Sequence, residues 1–177
     1  MQLLHIVILM EAAIIIMGVG MCFTLTANMR QDLNSCKTGE MRDLSKIYRL
    51  DETVYRQLVK HCYDSLPNEA CGLLGGPDKW HGTHLFPITN VKPSPTSYRM
   101  DGKEVVAAFQ KMEAENLQFN AAYHSHPTTP ARPSPIDIKE AFFAGPFLIL
   151  SLVHKKPVLK GFFISEGIVE EICVKVL

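Results

Sequence analysis

The chain has 177 residues, of which 47% are hydrophobic and 20% are charged, and this is typical of one globular domain with a substantial core. Its 18 basic and 18 acidic residues leave no formal net charge. A nucleic-acid partner would normally require a basic surface, so the composition argues against nucleic-acid binding.

The N-terminal part of the chain is strongly apolar. Residues 3–27 are long enough to span a bilayer as a helix, and no Lys or Arg precedes Arg30. The positive-inside rule would then place everything after residue 30 in the cytoplasm, behind a membrane anchor. An upstream extension before a start at Met29 or Met41, and a secretory signal, are the alternatives. We expect an N-terminal segment with a polar linker, residues 1–45, and one domain, residues 46–177.

The first half of the domain is predicted to contain a helix followed by a hairpin. Residues 69–76 are a short apolar run closed by two glycines, which indicates a buried strand that ends in a turn. Residues 83–89 are its predicted hairpin partner, and residues 90–97 are a loop with two prolines. Asp51 is a predicted N-cap for the preceding helix. The apolar face of that helix carries Val54, Tyr55, Leu58, Val59 and Cys62.

The second half begins with a predicted capping box, formed by Asp101 and Glu104, at the start of another helix. Ser134 followed by proline predicts the N-cap of a third helix, which should run to about Phe143. The remaining elements are predicted strands, over residues 119–126, 147–153, 161–165 and 168–176.

Two histidines close the strand over residues 119–126. His124 and His126 are separated by one residue, so both side chains point to the same face of the strand. Asp137 follows, within the pattern H-x-H-P, six residues, S, two residues, D. Two imidazoles and one carboxylate suit a zinc ion that keeps its fourth position open for water. Ser134 is either a helix N-cap or a hydroxyl that donates to an oxyanion, and both roles are compatible.

A metal-activated water also needs a base that accepts its proton. Glu69 is the best candidate, because it opens a buried strand where an unpaired carboxylate would be costly. Other zinc patterns fit less well. The chain is too short for the barrel of the H-x-H amidohydrolases, and it lacks both H-E-x-x-H and the P-C-x-x-C of nucleobase deaminases.

Taken together, Glu69 and the His-x-His-Pro, Ser, Asp pattern resemble the JAMM (MPN+) zinc metallopeptidase motif. The run Pro-Asn-Glu-Ala-Cys-Gly-Leu-Leu-Gly at residues 67–75 is also similar to the compact bacterial and archaeal members. So is Asn90 followed by Ser-Pro at residues 94–95, Tyr98 and Asp101. The resemblance covers about residues 47–177.

This resemblance implies a single α/β domain with a cytidine-deaminase-like mixed central sheet flanked by helices. It also implies one zinc per chain, bound by His124, His126 and Asp137, with Glu69 as general acid/base and Ser134 stabilising the tetrahedral intermediate. The implied reaction is hydrolysis, by zinc-bound water, of a peptide or isopeptide bond at the tail of a ubiquitin-like or sulfur-carrier protein that ends in Gly-Gly. A module that binds such a tail without cleaving it, and a zinc hydrolase of small amides, are the alternatives.

Overall fold

An eight-stranded mixed sheet forms the centre of residues 47–143 and 145–177, the part of the chain that the computed structural model describes. Its strands are β1 (Ile47–Leu50), β2 (Cys71–Gly76), β3 (His81–Gly82), β4 (His84–Ile88), β5 (Gln118–His126), β6 (Pro146–Ser151), β7 (Val158–Ser165) and β8 (Ile168–Val176). The helices of this part are α1 (Glu52–Asp64), α2 (Gly102–Ala114) and α3 (Pro135–Lys139). The predictions for residues 1–45, including the membrane anchor, lie outside the described residues. Among those described, no helix is long and apolar enough to cross a bilayer.

The sheet has the spatial order β3-β1-β8-β7-β6-β5-β2-β4. Strand β1 is parallel to both β3 and β8, and β5 is parallel to β6, whereas the other neighbouring strands are antiparallel. Alternate residues of the central strands face opposite layers, because side chains alternate across a strand. This arrangement confirms the expected α/β class with a mixed central sheet flanked by helices.

Each face of the sheet is covered by one long helix. The apolar stripe of α1 packs against one set of buried strand residues, which includes Leu74, Tyr123 and Leu148. Helix α2 packs against the alternate set, which includes Leu73 and Ala122. Strands β2 and β6 are buried along their whole lengths because both of their faces are covered, which explains why they read as continuous apolar runs.

Two predicted helix N-caps differ in detail from the structure. Asp51 occupies the N-cap position of α1, but its carboxylate bonds to His81 at 2.8 Å instead of capping the helix. Asp101 caps α2 as expected, whereas Glu104 accepts from the backbone N–H and the hydroxyl of Thr89, so the predicted capping box is only half formed.

Helix α3 ends at Lys139, four residues before the predicted end. The chain leaves the helix early because Phe143 turns back to contact Phe119, at a ring-centroid distance of 5.3 Å, in the core layer beneath α2. A continued helix would carry that side chain along the helix axis, away from this layer.

Strand β1 was not predicted from the sequence. Its Tyr48 and Leu50 are fully buried between neighbours that are distant in the sequence. The Tyr48 hydroxyl donates to Asn120 Oδ1 on β5 at 2.6 Å. A strand of four residues gives a weak periodic signal, so its pairing partners specify it more than its own side chains do.

We expect a shortened protein that begins at Met41 to be soluble and to melt at the same temperature as the full chain, because the sheet begins at Ile47. A protein that begins at Asp51 is the control. It lacks both buried β1 side chains, and deleting them should cost on the order of 5 kcal/mol of unfolding free energy. Circular dichroism melts of the three proteins provide the comparison. Failure of the Met41 protein to fold would show that part of residues 1–40 belongs to the domain core.

Candidate metal centre

The end of strand β5 carries the two paired histidines. His124 lies opposite Cys71 of β2 on one side and Ile149 of β6 on the other, so backbone hydrogen bonds hold both edges of the strand at this point. His124 and His126 share the face of Ala122, which is the face that α2 covers. Both imidazoles are almost completely buried, with 1% and 3% of their surface exposed.

Helix α3 brings the carboxylate of Asp137 to these imidazoles. His124 Nε2 and His126 Nε2 are 3.1 Å apart. Asp137 Oδ1 lies 3.4 Å from the first and Asp137 Oδ2 lies 3.5 Å from the second. A tetrahedron with metal–ligand bonds of 2.0–2.1 Å has edges of about 3.3–3.4 Å, so the three side chains fit a tetrahedral zinc ion. Among the described residues, only this group of His, Cys, Asp and Glu side chains converges closely enough to hold a metal.

Neighbouring groups fix the orientations of the two candidate histidine ligands. His126 Nδ1 lies 2.9 Å from the carbonyl oxygen of Pro130, so Nδ1 donates its proton there and leaves Nε2 free to bind a metal. The ring of Tyr98 stacks on that of His124 at a centroid distance of 4.7 Å. His124 Nδ1 is buried and has no hydrogen-bond partner among the described residues, so on this side of the ring only packing, including the stacked Tyr98, holds it.

Asp137 is held by a complete capping box at the start of α3. Its Oδ2 accepts from the backbone N–H of Ser134 at 2.6 Å, while Ser134 Oγ accepts from the backbone N–H of Asp137 at 3.2 Å. Burial would raise the pKa of Asp137, but hydrogen bonds from His124, His126 and the Ser134 amide outweigh burial and hold the pKa well below its usual range. The carboxylate is therefore ionised, as a metal ligand must be.

Glu69 lies beside the cluster, two residues before β2, and is only 4% exposed. Its backbone is fixed on both sides, because its N–H donates to Ser94 O at 2.8 Å and its carbonyl accepts from Asn90 Nδ2 at 3.0 Å. Burial raises the pKa of its carboxyl to about 7, with the charge of His126 lowering it and that of Asp137 raising it further. A carboxyl with this pKa can both release and accept a proton near neutral pH.

The structure therefore brings together all five residues that the sequence indicated, Glu69, His124, His126, Ser134 and Asp137, while their chemical roles stay predictions. Several supporting groups were not recognised from the sequence. One is the carbonyl of Pro130, which accepts from His126. Another is the hydroxyl of Ser125, which accepts from Ala70 N at 2.8 Å. No sequence pattern indicated either of them. A backbone carbonyl has no residue-type signature. Asn90 and Tyr98 were noted only for their resemblance to family positions.

Comparison with known proteins gives a family match over most of the domain. Residues 51–162 match the family described as prokaryotic homologues of the JAB domain. The chain is 36% identical over 118 residues to a "Probable TtuB-protein conjugate cleaving protease" from Thermus thermophilus. The aligned residues make up 66% of this chain and 74% of the relative. It is 39% identical over 85 residues to a "CysO-cysteine peptidase" from Mycobacterium tuberculosis. Here the aligned residues make up 48% of this chain and 58% of the relative.

Solved structures share the same fold. The solution structure of a protein from Desulfitobacterium hafniense is 36% identical, with a TM-score of 0.68 over 74% of this chain and 92% of that protein. The crystal structure of a JAB1/MPN-domain protein from Archaeoglobus fulgidus is 16% identical, with a TM-score of 0.51 over 73% of this chain and 97% of that one. The second likeness concerns the fold alone.

We expect one zinc ion per chain in protein purified without added metal, and loss of most of it in His126→Ala, because two protein ligands hold zinc far less well than three. His84→Ala is the matched control, since His84 is exposed and its ring forms a hydrogen bond only with Thr83 among the described residues. Elemental analysis measures the metal, and circular dichroism verifies that each variant is folded. Full zinc occupancy in folded His126→Ala would contradict the ligand assignment.

Proposed function

The chain belongs to the family of prokaryotic homologues of the JAB domain, and from this premise we propose that it is a zinc-dependent peptidase or isopeptidase. Its proposed substrate is an amide bond at the C-terminal tail of a ubiquitin-like or sulfur-carrier protein that ends in Gly-Gly. The names of the two relatives, a conjugate-cleaving protease and a CysO-cysteine peptidase, support this substrate class. The observation that carries the proposal is the convergence of His124, His126 and Asp137 beside the buried Glu69.

His124, His126 and Asp137 would hold the metal through two imidazole nitrogens and one carboxylate. A zinc ion bound there supplies a Lewis acid, which acidifies water and polarises a carbonyl oxygen. Glu69 takes a proton from the attacking water and delivers it to the nitrogen of the leaving group. The C–N bond then breaks, the tail regains its carboxylate, and the released group leaves as an amine.

Ser134 can act in the structure and in the reaction at the same time. Its Oγ accepts a hydrogen bond from the Asp137 amide, which caps α3. The proton of its hydroxyl has no acceptor among the described residues, so it remains available for an oxyanion. We assign it the role of stabilising the negative charge that develops on the attacked carbonyl oxygen.

The proposed function is tested by incubating the full chain, with and without a chelator, with the ubiquitin-like and sulfur-carrier proteins of its source organism. Mass spectrometry should detect metal-dependent cleavage directly after the terminal Gly-Gly. Binding of a carrier without cleavage would favour the non-catalytic module. Hydrolysis of small amides but of no carrier tail would favour the small-amide hydrolase.

In the same assay Glu69→Gln should retain zinc and lose about 10²- to 10⁴-fold in rate, because glutamine keeps the shape of the side chain but cannot accept the proton. Glu113→Gln is the matched control, since Glu113 is exposed on α2. If Glu69→Gln binds zinc normally and turns over within about threefold of the wild type, the general base is another group.

Ser134→Ala should lose about 1 kcal/mol of unfolding free energy through the missing cap. It should also lose kcat, by on the order of 3 kcal/mol of activation free energy, with little change in KM, because the hydroxyl acts on the developing oxyanion. Ser134→Gly separates the two effects, since glycine at an N-cap costs only a few tenths of a kcal/mol. Thermal melts and steady-state kinetics are compared for both variants. Normal turnover in both would leave Ser134 with the capping role alone.

A further inference from the structure

A cavity of about 390 Å³ opens beside the ligand cluster, and Asp137 forms part of its wall. The cavity lies between the loop before α2, the first turn of α2, helix α3 and the start of β6. Its apolar lining is supplied mainly by Met100, Val105, Ile136, Phe142, Phe143 and Phe147. Its volume is at the lower end of the range for small-ligand sites. Phe142 is 79% exposed and Ile136 is 48% exposed, so this apolar surface is open to a ligand.

Arg99 is the only basic residue among the described residues that line this cavity. Its backbone is fixed, because its N–H donates to Asn90 Oδ1 at 2.9 Å and its carbonyl accepts from Val91 N at 2.8 Å. Arg99 is exposed, and its guanidinium makes no hydrogen bond or ion pair with another described residue, although Asp137 and Glu140 line the same cavity. An arginine placed this way presents a planar set of donors that matches a carboxylate.

We propose, on the basis of the function proposed above, that this cavity binds the residue released from the carrier tail. That residue is a single amino acid with an apolar side chain, and Arg99 binds its free carboxylate. The acyl side of the scissile bond ends in glycines, which have no side chain to fill a cavity. The side chain that enters it therefore belongs to the residue on the other side of the bond.

The charge of the cavity distinguishes two kinds of leaving group. A single amino acid at the end of the tail carries a free carboxylate, which pairs with Arg99. A lysine inside a conjugated protein carries no carboxylate at this point, so it would leave the guanidinium without a partner. Hydrolysis adds water across the C–N bond, after which the tail has its glycine carboxylate and the released amino acid has a free amine.

Three fluorescent peptides test the proposal with the full, zinc-loaded chain. One ends in Gly-Gly-Leu with a free carboxylate, the second ends in the corresponding carboxamide, and the third has Gly-Gly joined to the side-chain amine of a lysine within another peptide. Fluorescence anisotropy measures their binding to the Glu69→Gln variant, which is expected not to hydrolyse them. Mass spectrometry measures their cleavage by the wild type.

The free-carboxylate peptide should bind about ten- to a hundredfold more tightly than the carboxamide, which is the range for a charge-assisted hydrogen bond. Combining Arg99→Gln with Glu69→Gln should reduce the affinity for the free-carboxylate peptide to that for the carboxamide peptide. The affinity for the carboxamide peptide itself should not change. Lys139→Gln is the matched control, because Lys139 is adjacent to Glu140 but does not line the cavity. It should keep the full preference. Replacing the terminal leucine by serine should weaken binding about tenfold or more, through lost apolar burial.

A carboxylate preference that survives Arg99→Gln, or tighter binding of the lysine-linked peptide, would overturn the proposal. Cleavage of all three peptides with equal binding would also overturn it, while supporting the peptidase function. The reverse result, an Arg99-dependent carboxylate preference without any cleavage by the wild type, would support the cavity assignment and refute the peptidase function.

Discussion

The candidate site depends on how the backbone of β5 is held at its C-terminal end. Strands β2 and β6 bond to both edges of β5 at the position of His124. A shift of register by one residue would turn both imidazoles to the opposite face, where α1 packs. The positions of the two imidazoles are therefore set by the backbone hydrogen bonds of the sheet interior, whereas Asp137 reaches them from helix α3. This is why the histidines lie on a central strand rather than on a loop.

Burying the carboxylates of Asp137 and Glu69 costs free energy. The neighbouring residues compensate the two charges to different extents. Asp137 contacts both histidines and the Ser134 amide, so its buried charge is compensated. Glu69 has no side-chain hydrogen bond among the described residues, and burial raises the pKa of its carboxyl to about 7. The same desolvation that penalises its charge therefore suits it to proton transfer. The two carboxylates have pKa values shifted in opposite directions because their surroundings differ, which supports the different roles proposed for them.

The loop over residues 90–100 connects the proposed base with the proposed carboxylate-binding residue. The side chain of Asn90 donates to the carbonyl of Glu69 and accepts from the backbone N–H of Arg99. Tyr98, between them in the loop, stacks on His124. The side chain of Asn90 thus connects the proposed base, through its backbone, with the loop that carries Tyr98 and Arg99. A change at Asn90 should therefore affect more than one of these functions.

The sequence by itself determined those features that depend on a few adjacent residues. The shared face of His124 and His126 follows from the two-residue period of a strand, and the pairing of Ser134 with Asp137 follows from one helical turn. The family was also identified from such local motifs, and the family match confirms it. The tertiary structure alone decided which distant segments meet. Contacts between residues far apart in sequence determine strand β1, the early end of α3, the position of Glu69 beside the proposed metal ligands and the cavity around Arg99. Backbone periodicity acts over a few residues, whereas these contacts are set by the packing of the whole sheet with its helices, which no local pattern encodes.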